Sequence, residues 1–465
     1  MQELLKLCGY SEEEIQKEMP RVEKAFQKLG LVPADIENGK QRLYQYYDME
    51  LMGVRRIFRL CLREVINSIL AGEEGKTKVV YGCMAPGYEI IGAALMKAAP
   101  EVFSINHHWA YLLVAGCIFD KFLPVMEAAE KMWLKAGLVG HCGNVKTMLG
   151  VIPLDLFPRP DLMITSGALC EIAPKTFDLI QELYGFPVHY IETCQDRELR
   201  EYDAASLRAV EFQAKSLRKT LGKIREVTGC EITDDMLWEI IMVRQEMDAA
   251  LRRMRSLLVN SDPLPLKPTH ENLWSCLNSL TLNVEDCAYA VEALNILCAD
   301  LQDRINRGVG VVKKGSPRIV AICPAQHDDP RLENLINEVG IALVAIDFSF
   351  AVPYPELPMS PDTALAMSLQ ASPFSSTAAR IPLIVKECRN LKVDGVFGRY
   401  HVGCRTVAGD ALLLKEAVEK DLDIPALLLE WDSFDPRIFN YEQFRKKLEI
   451  FREMMLNKRR PKAAR

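Results

Sequence analysis

Apolar and polar positions change rhythm several times between residues 161 and 194. A short unbroken apolar run, 162–165, has the length of a buried strand. Ser166 and Gly167 break it, and Cys170 follows where strand hands over to helix. Pro174 falls in the first helical turn, where a missing N–H costs nothing. Phe177, Ile180 and Tyr184 then recur at three- and four-residue spacing, Gly185 stops the helix, and 188–191 reads as the next strand. This is a β-α-β unit.

The same texture recurs on either side. Runs at 79–81 and 102–105 flank a helical pattern at 89–96, and another helical pattern covers 122–136. Further on, runs at 319–322, 341–347, 393–399 and 426–430 alternate with helical stretches at 331–339, 412–420 and 441–455. The segments 12–29 and 49–70, and most of 197–307, carry helical spacing alone, punctuated by Pro263, Pro265 and Pro268. The pattern predicts an α/β protein with two flavodoxin-like, Rossmann-like parallel-sheet domains at 76–195 and 309–465. A helical N-terminal segment, 1–75, precedes them, and a helical linking region, 196–308, joins them.

Composition narrows the class. The chain has 465 residues, 49% of them hydrophobic, ample for more than one core. A net charge of −6 argues against nucleic acid or an anionic membrane surface as the main partner. The acidic start lacks a signal-like apolar run, and no stretch reaches the ~20 apolar residues of a membrane helix. The expectation is a cytoplasmic protein. The basic end, 457–465, reads as a solvated tail.

Fourteen cysteines are many for a reducing compartment, and no two are spaced C-x-x-C. A metal site would therefore gather ligands from distant segments. Cys83, Cys170, Cys323 and Cys404 each follow an expected strand, and Cys142 lies between Gly140 and Gly143, in a turn that lets backbone approach a bulky ligand. Ligands gather at the carboxyl ends of strands in open parallel sheets, and a thiol near a helix N-terminus is eased toward thiolate. Two such domains face to face would bring these loops to one cleft. Thiolates meeting there suit an iron–sulfur cluster better than nucleophilic catalysis; zinc, with His141 or His401 as nitrogen ligands, is the alternative. By spacing alone, scattered core cysteines are the plainer reading, as for Cys287 and Cys298.

The segment 394–455, with Cys404-Arg405 and the motif D-x-x-D-P-R-x-F-N from Asp432 to Asn440, resembles the C-terminal end of the 2-hydroxyacyl-CoA dehydratase and benzoyl-CoA reductase family. It is most similar to the larger, α-type subunits. Cys170 ahead of APKTFDLI resembles the family's second cluster loop, Cys142 stands in place of its first, and 318–350 resembles the start of its second domain. The resemblance runs in order over roughly 76–455.

It implies a [4Fe-4S] cluster on Cys142, Cys170 and Cys404, in an enzyme of anaerobic metabolism that is a lyase or an oxidoreductase. It implies an acyl-CoA substrate, a homologous second subunit, and an ATP-dependent iron–sulfur activator protein that delivers one low-potential electron. In dehydratases a ketyl radical then expels the hydroxyl group; in ring reductases electrons enter an aromatic thioester. A side branch holds a double cubane on additional cysteines. Cys83 and Cys323 match two of them, and the remaining position falls within 370–374, which has no cysteine.

Three readings follow: a dehydratase- or reductase-type subunit, a homodimeric double-cubane reductase of a small molecule, and a cluster-free scaffold or binding subunit. Among other residues, His107 and His108 could face the cleft as catalytic groups. Ser166 could cap the Cys170 helix or touch an open iron. Arg405 could steady cluster or CoA charge. Asp432 and Asp435 read as a turn and a cap before the last helix.

Overall fold

The computed structural model describes every residue except 86, 107–108, 134–141, 169, 195–203, 323–328, 348–358, 371–376, 401–403, 405–408, 433–434 and 460–465. Its described strands form two four-stranded sheets, all parallel. The first orders its strands β2-β1-β3-β4: β1 Lys78–Cys83, β2 Val102–Asn106, β3 Leu162–Ser166 and β4 Val188–Ile191. The second repeats that order as β6-β5-β7-β8: β5 Arg318–Ile322, β6 Ala342–Ile346, β7 Gly395–Tyr400 and β8 Ala426–Glu430. The expected α/β class with two flavodoxin-like sheets is what the chain adopts.

Six of these strands are short, largely apolar and buried on both faces, whereas β4 and β8, each at one end of its sheet, are only partly covered. In β5, Ile319 and Ala321 pack with Phe397, Leu429 and the helix Tyr441–Arg459, whereas Val320 and Ile322 join the large helical core on the other side. That large core runs from the N-terminal helices through the linking helices Asp234–Val259 and Val284–Asn306. The first sheet behaves alike. Val80, Leu162 and Ile164 pack with the helices Tyr88–Ala98 and Ala204–Thr228, and Met163 and Cys83 with Phe177 and Val145. The linking helix Ala204–Thr228 also lies on Pro361–Gln370 from the second half. Leu365 and Met367 therefore belong to the first sheet's core, which ties the halves together.

Two glycines are required by close approach. A side chain at Gly82 would collide with the Tyr88 ring at 1.9 Å. That ring stays there because its hydroxyl donates to Val80 O at 3.1 Å and pairs with Ser104 Oγ at 2.7 Å. A side chain at Gly150 would meet the Val125 carbonyl oxygen at 1.9 Å, so the helices Gly143–Gly150 and Leu123–Trp133 touch backbone to backbone.

Some elements lacked a clear pattern: the helices Pro33–Tyr46, Pro361–Gln370 and Thr377–Asn390, the π-helical turn Leu113–Ile118, and Gly143–Gly150. The helical stretch expected over 122–136 is described as Leu123–Trp133, its last residues lying outside the described ones. Among the described residues no helix is long and apolar enough to cross a membrane.

Candidate functional site

In both sheets the chain leaves the first strand in one direction and returns on its other side, so β1/β3 and β5/β7 flank the switch points where a crevice opens. Cysteines stand at these strand ends. Cys83 is the last residue of β1, Cys170 follows β3, and Cys404 follows β7.

After β3 the Ser166 hydroxyl accepts the Ala168 N–H at 2.9 Å and tightens the turn. Ser166 therefore does not cap the following helix, Ile172–Tyr184. That role falls to sulfur: Cys170 Sγ accepts the Ala173 N–H at 3.3 Å, one of the amides a helix start leaves free. Burial pushes the Cys170 thiol up, while the Ala173 and Ile172 amides pull it back. Phe177 and Ile180 anchor the helix in the core beneath.

Cys142 also stands at a helix start, without a side-chain capping bond. It is the N-cap of Gly143–Gly150, with extended backbone (φ −66°, ψ 159°), and the Val145 amide points at its sulfur. Only 8% of it is exposed. Burial pushes this thiol well above its ordinary value, and the Asp432 carboxylate, Cys170 and Cys404 all add in the same direction. Cys142 thus feels thiols from both sheets. Cys404 itself is half-buried.

Cys83, 1% exposed, lies 3.7 Å from the Met148 sulfur. Burial first, then Cys170, raise its thiol well above the ordinary value. Beside it in register, the buried Thr165 hydroxyl has no hydrogen-bond partner among the described residues. Cys83, Cys142, Cys170 and Met148 share one apolar cluster.

A second layer crosses between the halves. Asp432 Oδ2 accepts the Gly143 N–H at 2.8 Å. Arg437 donates to Glu130 at 3.0 and 2.6 Å, and Lys146 donates to the same carboxylate at 2.9 Å. Asp435 does cap, accepting the Arg437 N–H at 3.0 Å, as its turn signature suggested. Asp432 was read as the same kind of turn residue, and its cross-sheet contact had no local signal. Glu130, Met148 and Thr165 were not anticipated at all; they are unremarkable in sequence and gain meaning only through the fold.

Cys323, His107, His108, His141, His401 and Arg405 lie outside the described residues. Among the described residues no three His, Cys, Asp or Glu side chains converge on a single metal-ion position. A cubane asks for a different arrangement: its thiolates stand about 6–7 Å apart, further than the ligands of one ion. The donor set is suited to it. Three thiols come from separate strand ends or helix starts, and backbone amides aim at two of the sulfurs. An unsatisfied hydroxyl lies at the same sheet edge.

The family model for 2-hydroxyglutaryl-CoA dehydratase, D-component, matches residues 113–455. The chain belongs to this family. Both cysteine-bearing helix starts, Cys404 and the Asp432–Asn440 motif fall within the matched D-component region. Among D-component relatives, the chain is 23% identical to the (R)-2-hydroxyglutaryl-CoA dehydratase subunit alpha of Acidaminococcus fermentans over 64% of its own length. That match spans 61% of the relative, less than two thirds of it. A benzoyl-CoA reductase subunit of Thauera aromatica is 21% identical over 65% of this chain and 72% of the relative. The (R)-phenyllactyl-CoA dehydratase alpha subunit of Clostridium sporogenes is 19% identical over 68% and 77%.

Proposed function

We propose that this chain is the cluster-bearing subunit of a 2-hydroxyacyl-CoA dehydratase or benzoyl-CoA reductase-type enzyme, with Cys142, Cys170 and Cys404 holding one [4Fe-4S] cluster. The observation that supports it most is the Cys142 thiol, whose electrostatic surroundings include Cys170 from its own sheet and Cys404 from the other. Bound there, the cluster supplies low-potential one-electron chemistry for an acyl-CoA thioester.

The chain's own residues prepare the site. The Ala173 and Val145 amides favour sulfur in its charged form, against a larger opposing effect of burial that keeps both thiols raised until a cluster binds. The apolar wall of Met148, Val145 and Ala173 keeps water from the sulfurs. Ser166 holds the β3 turn so that Cys170 meets its helix start. Because the ligands come from both sheets, loading the cluster also fastens the halves together. A second subunit completes the system, in keeping with the subunit names of the relatives, and a low-potential electron donor of the ATP-dependent activator class feeds it.

Iron and sulfide counts on anaerobically purified protein test this directly. The expected result is about four irons per chain, with broad visible absorption lost in Cys170→Ser and Cys404→Ser and kept in Cys298→Ser. About eight irons would replace it with a double cubane that also uses Cys83. No iron would leave the scaffold reading.

A further inference from the structure

The D-x-x-D-P-R-x-F-N motif does more than start the last helix. Asn440 Oδ1 accepts the Gln443 N–H at 3.0 Å, the expected capping bond of the helix Tyr441–Arg459. The other polar residues of the motif point elsewhere. Asp432, 6% exposed, reaches the Gly143 amide in the first sheet's half. Asp435 grips the Arg437 side chain at 2.8 and 2.7 Å and so aims it at Glu130. From behind, Arg331 donates to Pro436 O at 3.1 Å and lies 4.6 Å over the Phe439 ring. Arg331 is itself held by Asp329. The motif is rooted in the second half and faces the first.

Its two targets flank one element. Gly143 is the first residue of the Cys142 helix, and Glu130, on the neighbouring helix, also takes Lys146 from the next turn. Both acidic contacts are matched to their partners. A helix start carries partial positive charge, which suits the Asp432 carboxylate. Arginine meets a carboxylate through two parallel bonds, which fixes direction as well as distance.

We propose that this motif is an inter-domain clasp, in which Asp432 and Arg437 are positioning residues that hold the Cys142 helix start against the second sheet. The proposal rests on the cluster reading only for why that placement matters; the clasp can be tested without iron. Lost, it frees the segment 142–150 to open locally while both sheets stay folded.

Amide hydrogen exchange of the cluster-free full chain measures this opening. The peptide over 142–150 is compared with the one over 172–184, which carries the helix that follows Cys170 but touches none of the motif's polar side chains in the contacts described above. Asp432→Ala should speed exchange over 142–150 about tenfold and leave 172–184 unchanged, the size expected for a buried charge-assisted bond. Asp432→Asn, which keeps an acceptor, should recover most of the protection. Arg437→Ala should give a smaller rise, Glu130→Ala a somewhat larger one because it also frees Lys146, and the double variant no more than Glu130→Ala alone, the non-additivity of a shared contact.

Unchanged exchange in Asp432→Ala would overturn the clasp, and so would an equal rise in both peptides. Iron counts on the same variants keep the two ideas apart. A wild type without iron refutes the cluster reading and leaves exchange to decide the clasp. A loaded wild type with unaltered exchange in Asp432→Ala refutes the clasp and spares the cluster.

Discussion

The two sheets share one strand order and treat buried chemistry in opposite ways. Around the first sheet the strand-end crevice is filled with sulfur: Cys83, Cys142, Cys170 and Met148 in an apolar setting. Around the second, the interior holds ions. Arg380 joins Asp347, just past β6, to Asp410, which precedes the helix Ala411–Leu422, with bonds of 2.6 and 2.8 Å and all three groups buried. Arg399 on β7 pairs with Glu333. Such a frame fixes direction, because each guanidinium admits few arrangements. The two halves thus differ in what they bury: thiols gather at the first sheet's strand ends, and the second holds an ionic frame and the carboxylate that crosses to Gly143.

This contrast breaks first at the second sheet's outer helix. Phe444, Leu448, Phe451 and Met455 form one buried stripe, with Phe451 1% exposed. Phe451→Asp puts an unpaired charge into that core and should cost about 5 kcal/mol or more, read from the shift of a denaturant midpoint. An unshifted midpoint would mean the helix is not a structural part of the second half.

Next comes the ionic frame. Arg380→Ala removes the guanidinium shared by two buried aspartates and should destabilise by about 4 kcal/mol. A small or absent loss would show that water reaches the triad, and the contrast between the sheets would dissolve.

The third test lies beside the first sheet. Glu64 is buried next to Thr281, whose amide donates to it at 3.2 Å and whose hydroxyl accepts the Asn106 amide at the end of β2. Burial pushes Glu64 up to about 7, against the pull of Arg63 and Arg244. With a folded value above the unfolded one, the fold keeps a proton that the unfolded chain has lost. Stability is then full below about pH 4.5 and falls as pH rises toward 7. Glu64→Gln should therefore gain on the wild type over that window, by at most about 3 kcal/mol, and run parallel above it. Parallel melting curves from pH 4 to 8 would show Glu64 to be ionised in the fold.

Much of the architecture was legible beforehand because strands buried on both faces leave short apolar runs, such as 102–105 and 319–322. The last helix was legible through its stripe from Phe444 to Met455. The helix Pro33–Tyr46 was not, since its buried face is built partly from Gly39, Arg42 and Tyr46 rather than aliphatic residues. Gly143–Gly150 was hidden by its glycine-rich start, which reads as a turn; Asp432, from far along the chain, accepts its first amide. Cys83, Cys170 and Cys404 were visible as residues at or just past strand ends. The neighbours of Cys142 were not, because strand order, and with it the switch points, is set by packing between segments far apart in sequence.

The Asp432–Gly143 bond joins residues 289 positions apart. A ribosome adds about 5–20 residues each second, so Gly143 waits roughly 15–60 s for its acceptor to be made. Two strands of the first sheet precede Gly143 and the other two are synthesised early in that interval. The nascent chain therefore carries a completed set of first-sheet strands with the start of the Cys142 helix uncovered. Maturation of this corner is timed by translation of the last tenth of the chain, and a ribosome stalled before codon 432 would leave that helix start bare.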